Sequence, residues 1–268
     1  MIKENFAIDM FYFERDNTTF QSSPDYHGNT YRASFELYPF NEGIEYAVYK
    51  GMLNGNGPKR GAFCAAKAKL GRKSCEEDWM HVLEISKTAD VLASSFNNYI
   101  RQRVIQFTIP LIAQMDSVSD FAVVINCFKP HAKKLTKGEY IILEDFIFEE
   151  FQNFSTVTNT KQKTDAFSHF SWHDTRDFVI CGLQGAKTEG GFHLTTPTIH
   201  SLSHRFGPND HHWEGIVQFF SAHTCNSICS GLNIPDLTRL PVVKYPAVSG
   251  FSTTSYCLKL ASAPPPYS

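Results

Sequence analysis

The sequence predicts an α+β fold made of two closely packed lobes. Three observations carry that reading. The chain has 268 residues, a length at which a single core stops growing, roughly 250–300 residues. Short β-rich runs surround one long helix-periodic stretch. The composition then shifts after Glu144, where charged and polar residues replace the Val/Ile-rich runs. The lobes are bounded at 31–144 and 145–240, between a leader at 1–30 and a C-terminal tail at 241–268.

The leader mixes aromatics with turn formers (Asn17, Ser22, Ser23, Pro24, Asp25, Gly28, Asn29), which predicts loose order or one edge strand. Ser34–Phe40, Tyr46–Leu53 and Ala62–Leu70 read as strands of an antiparallel meander, with Asn54-Gly55-Asn56-Gly57 as a turn. Ser74 followed by Glu77 reads as a capping box. Behind it Trp79, Val82, Leu83, Ala89, Leu92, Phe96 and Ile100 recur at helical spacing to about Arg101, predicting one amphipathic helix on that sheet. Val104–Ile109, Phe121–Cys127 and Tyr140–Leu143 are rich in Val, Ile and Phe and read as three further strands of the first lobe. In the second lobe come a polar stretch at Ser155–Thr164, a short segment Asp165–Trp172, a strand Phe178–Leu183 and a Gly/His/Thr-rich loop from Gln184 to Pro197. Ile216–Ser230 has helical character, and Gly231 is placed to cap it in a left-handed conformation. Pro241, Pro246 and Pro264–Pro266 make the tail irregular, and no internal repeat is found.

Composition excludes several function classes. Hydrophobic residues make up 42% and charged residues 19%, so the chain has enough apolar surface to fold. Lysine plus arginine number 25 against 27 aspartate plus glutamate, a net of −2, and no positive field is present to collect nucleic acid or acidic lipid. Aromatics reach 14%, with 23 Phe, which fills a core without naming an activity. The start, Met1-Ile2-Lys3-Glu4-Asn5-Phe6, has no apolar leader and no membrane-spanning run follows, which predicts a soluble protein. Seven cysteines, an odd number spread from Cys64 to Cys257, point to the reducing cytoplasm and to thiol or metal roles rather than a disulfide framework.

Two constellations hold chemistry. In His223-Thr224-Cys225-Asn226-Ser227-Ile228-Cys229 the cysteines stand four apart and would share a helix face, with His223 as a third donor from the same element. His169, set in Phe167-Ser168-His169-Phe170, is a candidate for a buried fourth donor to zinc. Two buried small hydrophobes would leave the same spacing, and spacing alone leaves both readings open. Lys67 lies in the strand-like run Phe63–Lys69, where an inner-facing lysine suits a phosphate clamp and an outer-facing one is a solvated side chain. Lys69 has the same parity, so the pattern does not choose between them. The glycines form neither a P-loop nor a dinucleotide fingerprint.

Taken in order, Pro39-Phe40-Asn41-Glu42-Gly43, Ala66-Lys67, Leu143-Glu144-Asp145-Phe146-Ile147, Ala166–Phe170, Leu183-Gln184-Gly185, Pro197-Thr198-Ile199-His200 and the block Phe206–Cys229 resemble the atypical alpha-kinase family, that of myosin heavy-chain kinase and elongation-factor-2 kinase. The most specific part is Gly215-Ile216-Val217-Gln218-Phe219-Phe220-Ser221-Ala222-His223-Thr224-Cys225-Asn226-Ser227-Ile228-Cys229, similar to the family's G-[IM]-x-x-F-F-x-x-H-x-C-N-x-I-C signature at every fixed position. The resemblance runs from about Tyr31 to Leu237. It implies a two-lobed protein-kinase-like fold with ATP and magnesium in the cleft and a structural zinc in the C-terminal lobe. Carried over residue by residue, it makes His169, His223, Cys225 and Cys229 the zinc ligands and Lys67 the lysine that grips phosphates. Glu144 would stand at the adenine-binding hinge, and Gln184 would help hold magnesium.

The departures from the pattern are as informative. Gly182 stands where the family's D-[IL]-Q-G has aspartate, and Thr196 stands where T-D-P has one, so both catalytic carboxylates are missing. Glu45 matches a phosphate-contacting arginine, Asn209 and His212 match glycines of the F-G-x-G-N-x-G-x-x-G loop with Asp210 at its asparagine, and the loop around Thr188–Phe192 is expanded. Phosphoryl transfer depends on positioning and on charge neutralised by metal, so these losses imply a pseudokinase or very weak serine/threonine kinase that acts by binding a protein partner. The alternatives are an active serine/threonine kinase using a relocated carboxylate (Asp177, Glu189 or Asp210), or a fold repurposed around His193, His200, His204, His211 and His212 as acid–base groups. Finally, Pro264-Pro265-Pro266-Tyr267 matches the P-P-x-Y ligand of WW domains, which dock preformed polyproline helices in aromatic grooves.

Overall fold

In a computed structural model, residues 17–119, 133–154 and 161–238 are described. The leader before Asn17, the expected strand Phe121–Cys127, most of the polar stretch that begins at Ser155, and the tail with its proline run lie outside the described residues. Among the described residues, no helix is long and apolar enough to cross a membrane.

The first lobe is built from β1 (Asn17–Thr19), β2 (Tyr31–Phe35), β3 (Asn41–Glu42), β4 (Tyr46–Gly55), β5 (Phe63–Lys69), β7 (Leu111–Ser117) and β8 (Tyr140–Asp145). They form one sheet in the order β2-β1-β7-β8-β5-β4-β3. Because β2 pairs with both β1 and β4, the sheet closes on itself, and only the short β3 is left outside the ring as a flap on β4. The expected meander is therefore a closed antiparallel ring, which leaves few edges exposed. Its interior is filled by residues of alternating parity: Ala47 and Tyr49 of β4, Cys64, Ala66 and Ala68 of β5, Ala113 and Met115 of β7. The small alanines are what let so tight a ring close around Tyr31, Phe35 and Tyr49.

Helix α1 (Glu77–Tyr99) is 23 residues long, about 35 Å at 1.5 Å per residue. Its apolar stripe serves both lobes. Trp79 and Val82 pack on Ile112 and Ile142, outside the ring, whereas Ile85, Ala89, Leu92 and Phe96 enter the core of the second lobe. The capping box does not form: the Ser74 hydroxyl donates to the Tyr140 carbonyl, and the amide of Cys75 is taken by Asp78 at 2.9 Å. The helix ends at Ile100, followed by Arg101 at φ 55°. There the Asn97 side chain accepts from the amides of Val104 and Ile105 and donates to the Ile105 carbonyl at 2.7 Å, pinning the next strand to the helix.

That strand, β6 (Ile105–Phe107), expected in the first lobe, pairs in parallel with β12 (Gly191–Leu194) in the second. The second sheet runs β6-β12-β11-β9, with β9 (Gln152–Asn153) and β11 (Gln184–Thr188). The stretch 184–197, expected as a loop, is thus a β11–β12 hairpin whose Ala186, Phe192 and Leu194 face the core. Helix α2 (Lys161–Thr175) packs on β10 (Phe178–Cys181), which pairs with β13 (Thr198–Ser201). Helix α3 (His212–Ala222) closes the lobe through Trp213, Ile216 and Phe220.

Candidate functional site

A cleft of about 240 Å³ lies between the lobes, lined by β4 and β5, by α1, by β8, by the stretch 195–199 and by Phe206, Pro208 and Asn209. Lys67 reaches it from the outer face of the ring. Residues of its parity on β5 face away from the ring core, and Lys67 stands opposite Ile142 on β8. The expectation of an inner-face lysine is corrected: the outer face here is roofed by α1 and the second lobe. The ammonium of Lys67 pairs with Glu144 at 2.5 Å, and their side chains are 20% and 2% exposed. The two residues are diagonal neighbours across the β5–β8 ladder, within reach of long side chains.

The twin lysine has other work. Lys69 donates to the Asp78 carbonyl at 3.0 Å and lies 5.3 Å from the Trp79 ring centre. Only Lys67 of the two lines the cleft. Glu144, expected at an adenine hinge, instead turns its carboxylate to Lys67 and accepts from the Thr196 hydroxyl at 3.5 Å. Thr196 also shares a hydrogen bond with Ser86 of α1 at 2.8 Å. Gln184, at the start of β11, lines the same cleft, and its carbonyl accepts from the Thr195 amide.

Among the described residues, the carboxylates lining the cleft are Glu45 and Glu144. Glu45 stands 3.4 Å from the Asn209 side-chain amide, which bridges the loop onto β4. The three carboxylates considered for relocation lie elsewhere. Asp210 is 1% exposed and accepts from the Ser201 amide and hydroxyl and from the amides of Phe206 and His212. Asp177 pairs with Arg205 at 3.5 Å. Glu189 is exposed at the turn of the β11–β12 hairpin. Gly182 does not line the cleft. With φ +60° it lines a smaller pocket of about 140 Å³ beside Asp165, Cys181 and His223.

The histidine-rich cleft is also corrected. None of His193, His200, His204, His211 and His212 lines it. His193 bonds Thr108 at 2.9 Å between β12 and the end of β6. His200 stacks on His211 at 5.2 Å, and His204 lies 6.2 Å from His212. His212 keeps φ 53°, the left-handed backbone that glycine adopts freely. The cleft histidine is His81 of α1, which sequence reasoning missed. Burial, with the Lys69 charge adding to it, holds its pKa below the ordinary imidazole value. A side chain on Gly207 (φ +87°) would come within 2.9 Å of the His81 ring, so the loop seats directly on it. Ser86 was missed as well. Its signal was a serine at the helical spacing of the apolar stripe, where a fully buried hydroxyl needs a partner.

The second constellation does converge. Donor atoms of His169, His223, Cys225 and Cys229 all lie within 4.8 Å of one another. His169 Nδ1 is 3.2 Å from His223 Nε2, Cys225 Sγ is 3.7 Å from His169 Nδ1, and Cys229 Sγ is 3.5 Å from His223 Nε2. Tetrahedral zinc at 2.0–2.3 Å from N and S donors requires edges of about 3.3–3.8 Å, so the donor set and its spacing fit that ion. His169 Nε2 faces the Asn233 carbonyl at 3.2 Å, which fixes the proton there and leaves Nδ1 for the cluster.

The helical route to this convergence is wrong, however. α3 stops at Ala222, His223 is extended (φ −77°, ψ 130°), and the cysteines sit on a turn. The Asn226 carbonyl accepts from the amides of Cys229 and Ser230, and its side chain ties the turn to the Gln162 carbonyl at 2.8 Å. Gly231 is not left-handed and caps nothing.

Comparison with known proteins adds the following. The model of the family described as "Alpha-kinase family" matches residues 41–229. The alpha-protein kinase vwkA of Dictyostelium discoideum is 28% identical over 215 residues, covering 75% of this chain and 31% of that protein. Human transient receptor potential cation channel subfamily M member 6 is 31% identical over 117 residues, 38% of this chain and 6% of the channel. This chain therefore spans about a third of the first relative and far less of the second. Among solved structures, the alpha-kinase domain of myosin-II heavy chain kinase A superposes with a TM-score of 0.64 at 16% identity, over 82% of this chain and 98% of that domain. An inactive form of that domain in complex with ATP superposes equally, over 82% of this chain and all of that one.

Proposed function

The chain belongs to the alpha-kinase family, and on that premise we propose that it is a pseudokinase domain: it receives a nucleotide in the cleft, transfers phosphate very slowly or not at all, and acts by binding. The observation that carries this is Thr196. Where the family pattern has an aspartate, a hydroxyl is bonded to Ser86 and Glu144. A hydroxyl neither neutralises a metal nor takes a proton from an incoming serine or threonine. Of the two carboxylates that line the cleft, Glu144 is already neutralised by Lys67.

The nucleotide reading is supported by the Lys67–Glu144 pair and by Gln184 on the opposite wall. In it, Lys67 holds phosphate oxygens, Glu144 fixes the lysine, and Gln184 contacts the ligand or its ion. His169, His223, Cys225 and Cys229 would hold a zinc ion that braces the turn after α3 against α2, a closed four-ligand set suited to structure rather than catalysis. A cytoplasmic protein partner fits a domain whose output is binding.

A second reading rests on Glu45, the one cleft carboxylate not paired with a cation among the ion pairs described. If it holds magnesium, a weak serine/threonine kinase results. Incubation with radiolabelled ATP and magnesium on a generic basic protein separates the two. The pseudokinase reading expects no labelled product above a Lys67→Met control, and a signal that the control abolishes would establish the kinase instead.

A further inference from the structure

The outside of the first lobe carries an aromatic patch that the cleft does not use. Phe146 meets Phe40, Phe63 and Phe148 at ring-centre separations of 5.6, 6.5 and 4.9 Å. Lys50 Nζ lies 4.7 Å from the Phe63 ring centre and 5.6 Å from that of Phe146. Phe40 remains 54% exposed and Phe148 68%. A contiguous exposed apolar surface of this kind marks a site of interaction rather than chance exposure. Its rim is acidic, because Glu42, Glu149 and Glu150 are exposed and adjoin Phe40 and Phe148 along the chain. Phe146 and Phe148 belong to the segment that follows β8 and continues to Phe151, a wall of the cleft.

We propose that residues 239–268 of this chain fold back onto the patch, with Pro264-Pro265-Pro266-Tyr267 laid against Phe146 and Phe148. Chemistry, charge and reach agree. Proline rings pack on aromatic faces, and a proline run is preformed as a polyproline helix, so it loses little entropy on docking. The segment holds Arg239, Lys244 and Lys259 and no aspartate or glutamate, opposite in sign to the rim. Lys50, the cation within the patch, is turned onto the rings. The stretch 239–263 extends to about 80 Å, against roughly 50 Å for the diameter of a domain of this size. Tethering sets the effective concentration near the millimolar range, where a contact too weak to hold in trans is populated. A docked tail would sit beside the wall of the cleft. This inference is independent of whether the cleft transfers phosphate.

The test is limited trypsin digestion of the intact chain, with release of the fragment beyond Lys259 followed by mass spectrometry. The comparison variant is Phe40→Ser with Phe148→Ser, two exposed positions whose change leaves the core intact. The expected result is that cleavage after Lys259 is about tenfold slower in the unchanged chain than in the variant, since cleavage tracks the population of the open form. Protection should be unaffected by dilution, and Glu149→Lys with Glu150→Lys should weaken it. Equal cleavage rates in both proteins would overturn the proposal and leave the proline run free for a WW-type partner. Protection that vanishes on dilution would overturn it too, by assigning the patch to a second copy of the chain.

Discussion

Replacing Lys67 with methionine removes the cation while keeping most of its stem. Glu144 would then stand with 2% of its side chain exposed and only the Thr196 hydroxyl, 3.5 Å away, on the cleft side. Breaking a buried ion pair from one side costs roughly 3–5 kcal/mol, because a desolvated charge is left uncompensated. Lys67 is 20% exposed, so water reaches the pair from its end. The lower part of that range, about 3 kcal/mol, is therefore expected. At about 2–4 °C per kcal/mol for a chain of this length, Tm should fall by roughly 6–12 °C. The double variant K67M/E144Q removes both charges and leaves an amide that needs only neutral hydrogen bonds. It should return to within about 1.5 kcal/mol of the unchanged protein. Urea unfolding at neutral pH reads all three. A K67M stability within about 0.5 kcal/mol of the unchanged protein, or a double variant no better than K67M, would refute the buried pair as the anchor of the cleft.

Three further predictions concern other parts of the structure. Cys225→Ser and Cys229→Ser should each release zinc in a metal assay and lower stability by about 2 kcal/mol or more, and unchanged zinc content would remove the metal from the account. His212→Gly should stabilise by up to about 1 kcal/mol, since the residue holds φ 53° and only an exposed contact of 3.9 Å to Glu214 is lost; a destabilised variant would contradict it. Burial holds His81 and His200 below the ordinary value of 6.5, so the unfolded chain takes up these protons first. Their stabilisation is complete above about 6.5 and is lost as pH falls from there through the folded values. Stability by urea unfolding should therefore drop between about pH 7.5 and 5.5, and His81→Gln should flatten the drop.

The parts of the fold that were legible in the sequence are those in which one period dominates. α1 announces itself through Trp79, Val82, Ala89, Leu92 and Phe96, and β4 and β5 through alternation beside a glycine turn. What stayed hidden depends on partners distant in sequence. β7 follows Pro110 and carries Gln114 and Asp116 on its outer face, so no apolar run marks it. β6 reads the same in either lobe, and only the Asn97 clamp and its pairing with β12 assign it to the second. Ring closure through β2 and β4 leaves no local trace at all.

The candidate site divides in the same way. Residue identities at Lys67, Gln184, His169, His223, Cys225 and Cys229 were legible, because each chemistry needs a particular side chain. The geometry was not. The cysteines converge through a turn built on Asn226 rather than along a helix face. Glu144 was read as a hinge residue because its carboxylate's partner lies on another strand. Histidines dense along the chain proved scattered in space, while the one that lines the cleft, His81, lay unremarked in a helix.

The account turns on whether the cleft, with Thr196 in an acidic position and Glu144 bound to Lys67, has lost its use for magnesium. Calorimetric titration of the zinc-loaded chain with ATP, with and without magnesium, tests that most directly. The account predicts that magnesium changes the affinity by less than about threefold, well under 1.4 kcal/mol, and that K67M abolishes whatever ATP binding is present. Binding that requires magnesium would contradict it, since a carboxylate of the cleft would then be holding the ion.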